Sequence, residues 1–156
     1  MSRSLRIEAC PGSQIETVRA LFREYQRSLD ADLCFQGFEA ELAGLPGSYA
    51  PPRGRLLLAS KGTNVAGCVA LRPLSEHVCE MKRLFVRPVF RGDGLGRQLA
   101  ERVIAEAQQA GYRTMRLDTL PEMVTAQALY VSLGFRDGPA YYDNPVPGVR
   151  YLERAL

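Results

Sequence analysis

Histidine is almost absent from this chain, with His77 the only one, and its four cysteines include no CxxC pair. A metal site built from histidine and cysteine is therefore not expected, and no metal is assigned. Cys10, Cys34, Cys68 and Cys79 are scattered, and we read them as reduced thiols. Long apolar runs are missing as well: residues 56–59 form one of the longest, against the roughly 20 residues that a spanning helix needs. No membrane segment is expected. The opening MSRSLRIE carries charge with no apolar stretch behind it, which argues against a secretory signal and for the cytoplasm. There is no internal repeat, no low-complexity tract and no long basic block. The net charge is +3, with 20 Lys and Arg interleaved with 17 Asp and Glu, so no nucleic-acid partner is expected. What basic bias exists gathers over residues 82–97.

What is present reads as one globular domain over residues 1–156, at 46% hydrophobic and 24% charged. Residues 5–10 alternate like a half-buried strand and stop at Pro11-Gly12. Ile15, Val18, Leu21, Phe22 and Tyr25 then recur at helical spacing, predicting a helix to about Leu29, with Ser13 and Glu16 placed for a capping box. A short helix is expected over 38–45. After it, Pro46-Gly47 and Pro51-Pro52 enclose a loop carrying Tyr49. Residues 55–60, 65–71 and 78–86 read as consecutive strands, the first two joined by a Lys61–Asn64 turn. A helix over 94–110 stops at Gly111; a strand over 114–120 leads through Pro121, suited to a first helical turn, into a helix over 124–133. Strands around Phe135 and over 149–156 complete the chain. A meander followed by crossover helices implies a mixed α+β sheet with helices on both faces.

The segment RPVFRGDGLGR, residues 87–97, lies between a strand and a helix. Its alternate glycines let successive N–H groups face one concavity at a helix N-terminus, flanked by Arg91 and Arg97. A phosphate or pyrophosphate suits that place; a glycine-rich structural turn with two solvated arginines is the alternative. A dinucleotide fingerprint would need glycine where Arg97 stands, and no Walker G-K-[ST] is present, which leaves a nucleotide-binding domain without its motif. Arg91, Gly94 and Gly96 do match R-x-x-G-x-G, and the loop resembles the pyrophosphate cradle of the GCN5-related N-acetyltransferase (GNAT) superfamily. CEMKRLFV over 79–86, MRLDT over 115–119 and AQALYVSLGF over 126–135 are similar to the segments that accompany this cradle. The stretch from Asp32 to Gly54 also resembles a subgroup of small bacterial acetyltransferases. One departure is Met123, where many members carry asparagine.

The resemblance implies an α+β fold with a splayed, mixed, mostly antiparallel sheet of six to seven strands, and acetyl-CoA as cosubstrate. It places the cofactor against Leu84, Phe85, Val86, Arg91, Gly92, Asp93, Gly94, Leu95, Gly96 and Arg97. Main-chain N–H groups of residues 84–86 would polarise the thioester carbonyl. Tyr130 matches the tyrosine that protonates the departing CoA thiolate; a core aromatic beside Ala126, Leu129 and Leu133 is the alternative. Glu80 matches a general base, or is a carboxylate paired with Lys82 or a nearby arginine. Strand alternation puts Glu80, Lys82 and Leu84 on one face and Cys79 on the other, in the core. His77 reads as an exposed loop residue, and Asp118 and Thr119 as a cap on the following helix. Tyr25, Phe35, Tyr49 and Tyr142, in its turn over 141–144, are the candidate acceptor contacts, with Glu24 and Asp32 as acidic neighbours. The implied activity is direct acetyl transfer to the amine of a small molecule or amino acid. The alternatives are a protein or peptide amine acceptor and a non-catalytic acyl-CoA sensor. A homodimer would pair through an edge strand, with the C-terminal strand the place to look.

Overall fold

The computed structural model describes residues 4–29 and 37–156. Its strands are β1 (Leu5–Ala9), β2 (Arg55–Lys61), β3 (Asn64–Pro73), β4 (Val78–Val86), β5 (Thr114–Thr119), β6 (Arg136–Asp137) and β7 (Arg150–Ala155). The helices are α1 (Ile15–Arg27), α2 (Phe38–Ala43), α3 (Leu95–Gln109) and α4 (Val124–Ser132). All seven strands form one sheet in the order β1-β2-β3-β4-β5-β7-β6. Every pairing is antiparallel except β4 with β5. The mixed, mostly antiparallel sheet expected from the sequence is thus the sheet observed. No helix among the described residues is long and apolar enough to cross a membrane.

The central strands are buried on both faces, which is why β2 and β3 read as nearly continuous apolar runs. Leu57, Ala59, Val69 and Leu71 meet α3 through Leu99, Val103 and Ile104, while Leu56, Leu58, Cys68 and Ala70 meet α1 through Val18, Leu21 and Phe22. Helix α2 adds Phe38 and Leu42 to that second layer.

Three local expectations change. The capping box does not form: Ser13 sits in a 3-10 turn over Gly12–Gln14, the helix begins at Ile15 without a side-chain cap, and Glu16 is drawn to Arg19 one turn on. Pro121 precedes α4 rather than opening it, because the Met123 N–H first closes a turn onto the Leu120 carbonyl at 3.1 Å. The C-terminal strand is interior: β7 lies between β5 and β6, so the sheet edges are β1 and the two-residue β6.

Beside the site to be described, β3 approaches β4 so closely that only glycine fits. A Cβ on Gly67 would stand 2.4 Å from the Phe85 carbonyl oxygen and 3.3 Å from the Val86 Cα. Gly67→Ala should therefore lower the unfolding free energy by about 1–3 kcal/mol, read from urea denaturation. An unchanged midpoint would contradict this close approach.

Candidate active site

The parallel ladder of β4 and β5 is short. Val78, Cys79 and Glu80 pair with Thr114, Met115 and Arg116, and there the pairing ends, although β4 runs on to Val86 and β5 to Thr119. The last paired row continues across five strands as Arg72, Glu80, Arg116, Glu153 and Arg136, with charges alternating in sign. Glu80 is completely buried. Arg72 Nε donates to its Oε1 at 2.6 Å, and the Tyr141 hydroxyl donates to its Oε2 at 2.6 Å. Of the two readings the sequence leaves open for Glu80, the structure displays the paired carboxylate, with Arg72 rather than Lys82 as the main partner.

A second irregularity lies just beyond that row. Cys68 pairs with Phe85 and Ala70 with Lys82, so β4 carries an extra residue, and Arg83 adopts a left-handed φ of 59°. A bulge of this kind rotates the strand and breaks its alternation. The expectation that Glu80, Lys82 and Leu84 share a face is corrected accordingly: Leu84 and Val86 pack on the α3 side with Met81, and Phe85 packs on the α1 side. Arg83 turns to α2, where Nε and Nη2 meet the two Glu41 oxygens at 3.0 and 2.7 Å and the guanidinium covers the Phe38 ring at 5.3 Å.

Between the parted strands lies a cavity of about 40 Å³ lined by Met81, Lys82, Arg83 and Leu84, by residues 117–120, and by Tyr25, Leu29, Met123, Tyr130 and Asn144. Tyr130 is buried, edge-on to Phe135, and burial pushes its phenol well above the ordinary tyrosine range, with Tyr25 and Asp118 adding to the effect. Lys82 is 8% exposed, and burial pushes its ammonium down to about 8 against the pull of Glu80. Asp118 does not cap α4. It accepts hydrogen bonds from Asn144 Nδ2 at 2.8 Å and from the Tyr142 hydroxyl, holding the 141–144 turn over the cavity. Thr119 Oγ1 is buried with no hydrogen-bond partner among the described residues.

The predicted acceptor contacts separate. Tyr25 lines the cavity, and Tyr142 reaches it through Asp118. Tyr49 does not: at 2% exposure it packs edge-on against Phe22 in the core, so its expected substrate contact is corrected to packing. Glu24 is engaged by Arg87 at 3.0 and 2.8 Å. Phe35 and Asp32 lie outside the described residues. His77 is exposed at the opposite end of β4, and Cys79 is core. Lys82 and Arg72 are not singled out by the sequence as site residues, and Asn144 enters only as part of the 141–144 turn. The one available signal was Lys82-Arg83 in mid-strand, two adjacent cations where alternation admits one.

The cavity adjoins an open groove of about 630 Å³, and the two share Tyr25, Leu84 and Met123. Nine of the ten expected cofactor contacts line this groove; the exception is Asp93, whose carboxylate meets Lys61 at 3.1 Å. Gly92 and Gly94 have φ of 98° and 78°, which glycine alone adopts without strain. The first helical bond of α3 runs from Gln98 N–H to the Gly94 carbonyl, which leaves the Leu95, Gly96 and Arg97 amides ahead of the helical ladder and available to an anion. Arg91 Nε is anchored on the Val86 carbonyl at 2.8 Å, and Arg97 Nη2 on Ser132 Oγ at 2.6 Å. Met123 forms the facing wall with Val124, Thr125 and Ala126. Amides, arginines and open space at this helix start suit a pyrophosphate with a long arm running toward the cavity.

A splayed sheet with a glycine-rich, arginine-flanked loop at a helix start and a cavity at the splay is the arrangement of an acyl-CoA-dependent transferase. The chain belongs to the acetyltransferase (GNAT) family, which it matches over residues 15–135. It is 41% identical to an uncharacterised N-acetyltransferase of Schizosaccharomyces pombe over 88% of this chain and 86% of that protein. It is 38% identical to an IAA acetyltransferase of Azospirillum brasilense over 70% of this chain and 72% of that protein. Its fold is shared, at a TM-score of 0.75 and 17% identity, by an acetyltransferase of Salmonella typhimurium solved with its cofactor acetyl-CoA, covering 97% of this chain and 94% of that one. The protein is an N-acetyltransferase with acetyl-CoA as the acetyl donor.

Replacing Arg91 by Ala should raise the acetyl-CoA Kd about tenfold, the equivalent of about 1.4 kcal/mol, and flatten its salt dependence. Isothermal titration at two ionic strengths is the check; a variant with wild-type affinity and salt response would remove Arg91 from the cradle.

Proposed function

We propose that the enzyme acetylates the primary amine of a small molecule or amino acid. The observation that carries this reading is the cavity itself: it opens off the acyl-CoA groove at Tyr25, Leu84 and Met123, and at about 40 Å³ it admits an amine head on a slender stem. In this reading the acetyl group lies at the junction, with the amides after the bulge beside its carbonyl oxygen. Tyr130 supplies a proton to the departing thiolate, and Asp118, with Tyr142 and Asn144, shapes the acceptor end. Glu80 positions Arg72 and Tyr141, since each of its oxygens already holds a donor. Tyr25 forms the wall common to both compartments.

The test is release of CoA thiol against a panel of monoamines, amino acids and short peptides. Turnover confined to peptides would overturn the small-molecule reading. With the best acceptor, Tyr130→Phe should lower kcat about 100-fold, the lower range of general acid catalysis, and leave the acetyl-CoA Kd unchanged. An unaltered kcat would remove Tyr130 from the proton path.

A further inference from the structure

Transfer to an amine requires a base, because amines are protonated at neutral pH while only the free lone pair attacks. Glu80 is poorly placed for the task, sealed in the sheet with both oxygens committed. Asp118, at the acceptor end, already accepts from Tyr142 and Asn144. Lys82 is the residue before the bulge, lines the same cavity as Tyr130 and is more than nine-tenths buried.

We propose that Lys82 is the catalytic base that takes the proton from the acceptor amine. This rests on the reading of the cavity as the acceptor site. The ammonium of the acceptor gives one proton to the neutral Lys82 amine, and its freed lone pair forms the C–N bond to the acetyl carbon. The C–S bond breaks with its electron pair on sulfur, which takes the Tyr130 proton; the second proton leaving the nitrogen restores Tyr130 by way of solvent. Lys82 then returns its proton to solvent, so one proton is released per turnover.

The surroundings of Lys82 favour its neutral form. Burial is the largest influence and brings the group down to about 8, close to working pH. Arg83 on β4 and Arg72 on β3 push the same way, whereas Glu80 on β4 and Asp118 on β5 oppose them. The two arginines are themselves held, Arg83 by Glu41 of α2 and Arg72 by Glu80, so their charges stay fixed nearby. From α1 and α4 the cavity receives Tyr25 and Tyr130, both phenols held neutral by burial.

Arginine and methionine variants test the proposal against a role in binding an acceptor carboxylate. Lys82→Arg keeps the cation and cannot give up its proton; Lys82→Met keeps the length and removes a buried charge, so it should fold. Using n-propylamine, which carries no carboxylate, both variants should lower kcat/KM at least 100-fold near neutral pH, and the wild-type levelling of kcat/KM above about pH 8 should give way to a rise that continues toward the titration of the amine itself. With 2,2,2-trifluoroethylamine, already neutral at physiological pH, the loss should be much smaller. A Lys82→Arg enzyme with wild-type kcat/KM for n-propylamine, or an unaltered pH profile, would overturn the assignment.

A second readout needs no turnover. Competitive labelling with trace acetic anhydride across pH, read by mass spectrometry, should show Lys82 titrating near 8 and protected by saturating n-propylamine. Absence of protection would refute the cavity reading and the base with it. Protection together with an active Lys82→Arg variant would refute the base alone.

Discussion

The place where β4 and β5 cease to pair sets most of this molecule. Up to Glu80 and Arg116 the two strands are bonded in parallel, and the row is bound sideways by charges that alternate from Arg72 to Arg136. Within it Arg72 pairs with Glu80 at 2.6 Å and Arg116 with Glu153 at 3.4 Å, so the buried Glu80 is not left as an isolated charge, which would be expensive. The row also ties in the C-terminal segment, since Tyr141 donates to Glu80 and Arg116 lies over the Tyr141 ring at 5.9 Å. One step further the bonding between β4 and β5 is gone, and the space it would have filled is the cavity. The closed row and the open site are consequences of the same departure of one strand from its neighbour.

The bulge acts on what that departure exposes. Without it, Arg83 would face α3 and Leu84 would face α1, placing a guanidinium in the apolar layer of Leu99 and Val103. With it, Arg83 reaches Glu41 and the rings of Phe38 and Tyr25, while Leu84 joins the layer beneath the groove. The left-handed φ of 59° at Arg83, unfavourable for a side chain of this size, is held by that bidentate pair. Two cations thus sit side by side on the α1 face. Arg83 takes up Glu41, and Lys82 lines the cavity wall.

How much of this the sequence revealed follows from how local each feature is. The glycine-rich loop and its helix were legible because their determinants are adjacent in the chain: Arg91, Gly94 and Gly96 define the loop, and Leu95, Leu99 and Val103 define the helix behind it. The meander of β2, β3 and β4 was legible because β2 and β3 are apolar on both sides and end at clear turns. Features decided by distant partners were not. Ser13 and Glu16 have capping spacing, yet Arg19 claims Glu16; Asp118 stands where a cap could stand, yet Tyr142 and Asn144 claim it. Tyr49 looked like a loop residue, and its loop folds into the core against Phe22. The alternation of β4 failed at the bulge, the one place where register no longer follows from counting.

Burial gives the cavity its chemistry by acting on two groups in opposite protonation senses. A low-dielectric wall disfavours charge of either sign. At Tyr130 the charged form is the phenolate, so burial keeps the proton on; at Lys82 the charged form is the ammonium, so burial drives the proton off. In the proposed mechanism one cavity therefore holds a proton donor that stays protonated and an amine able to accept a proton, with no metal-ligating cluster among the described residues. Both groups are neutral when ready to act, and the charges that share the cavity wall are held by other residues, Asp118 by Tyr142 and Asn144 and Arg83 by Glu41. Asp118 and Arg83 at the cavity wall and Glu80 in the row below are each hydrogen-bonded to protein partners, which allows a site this small to form without stranding a charge.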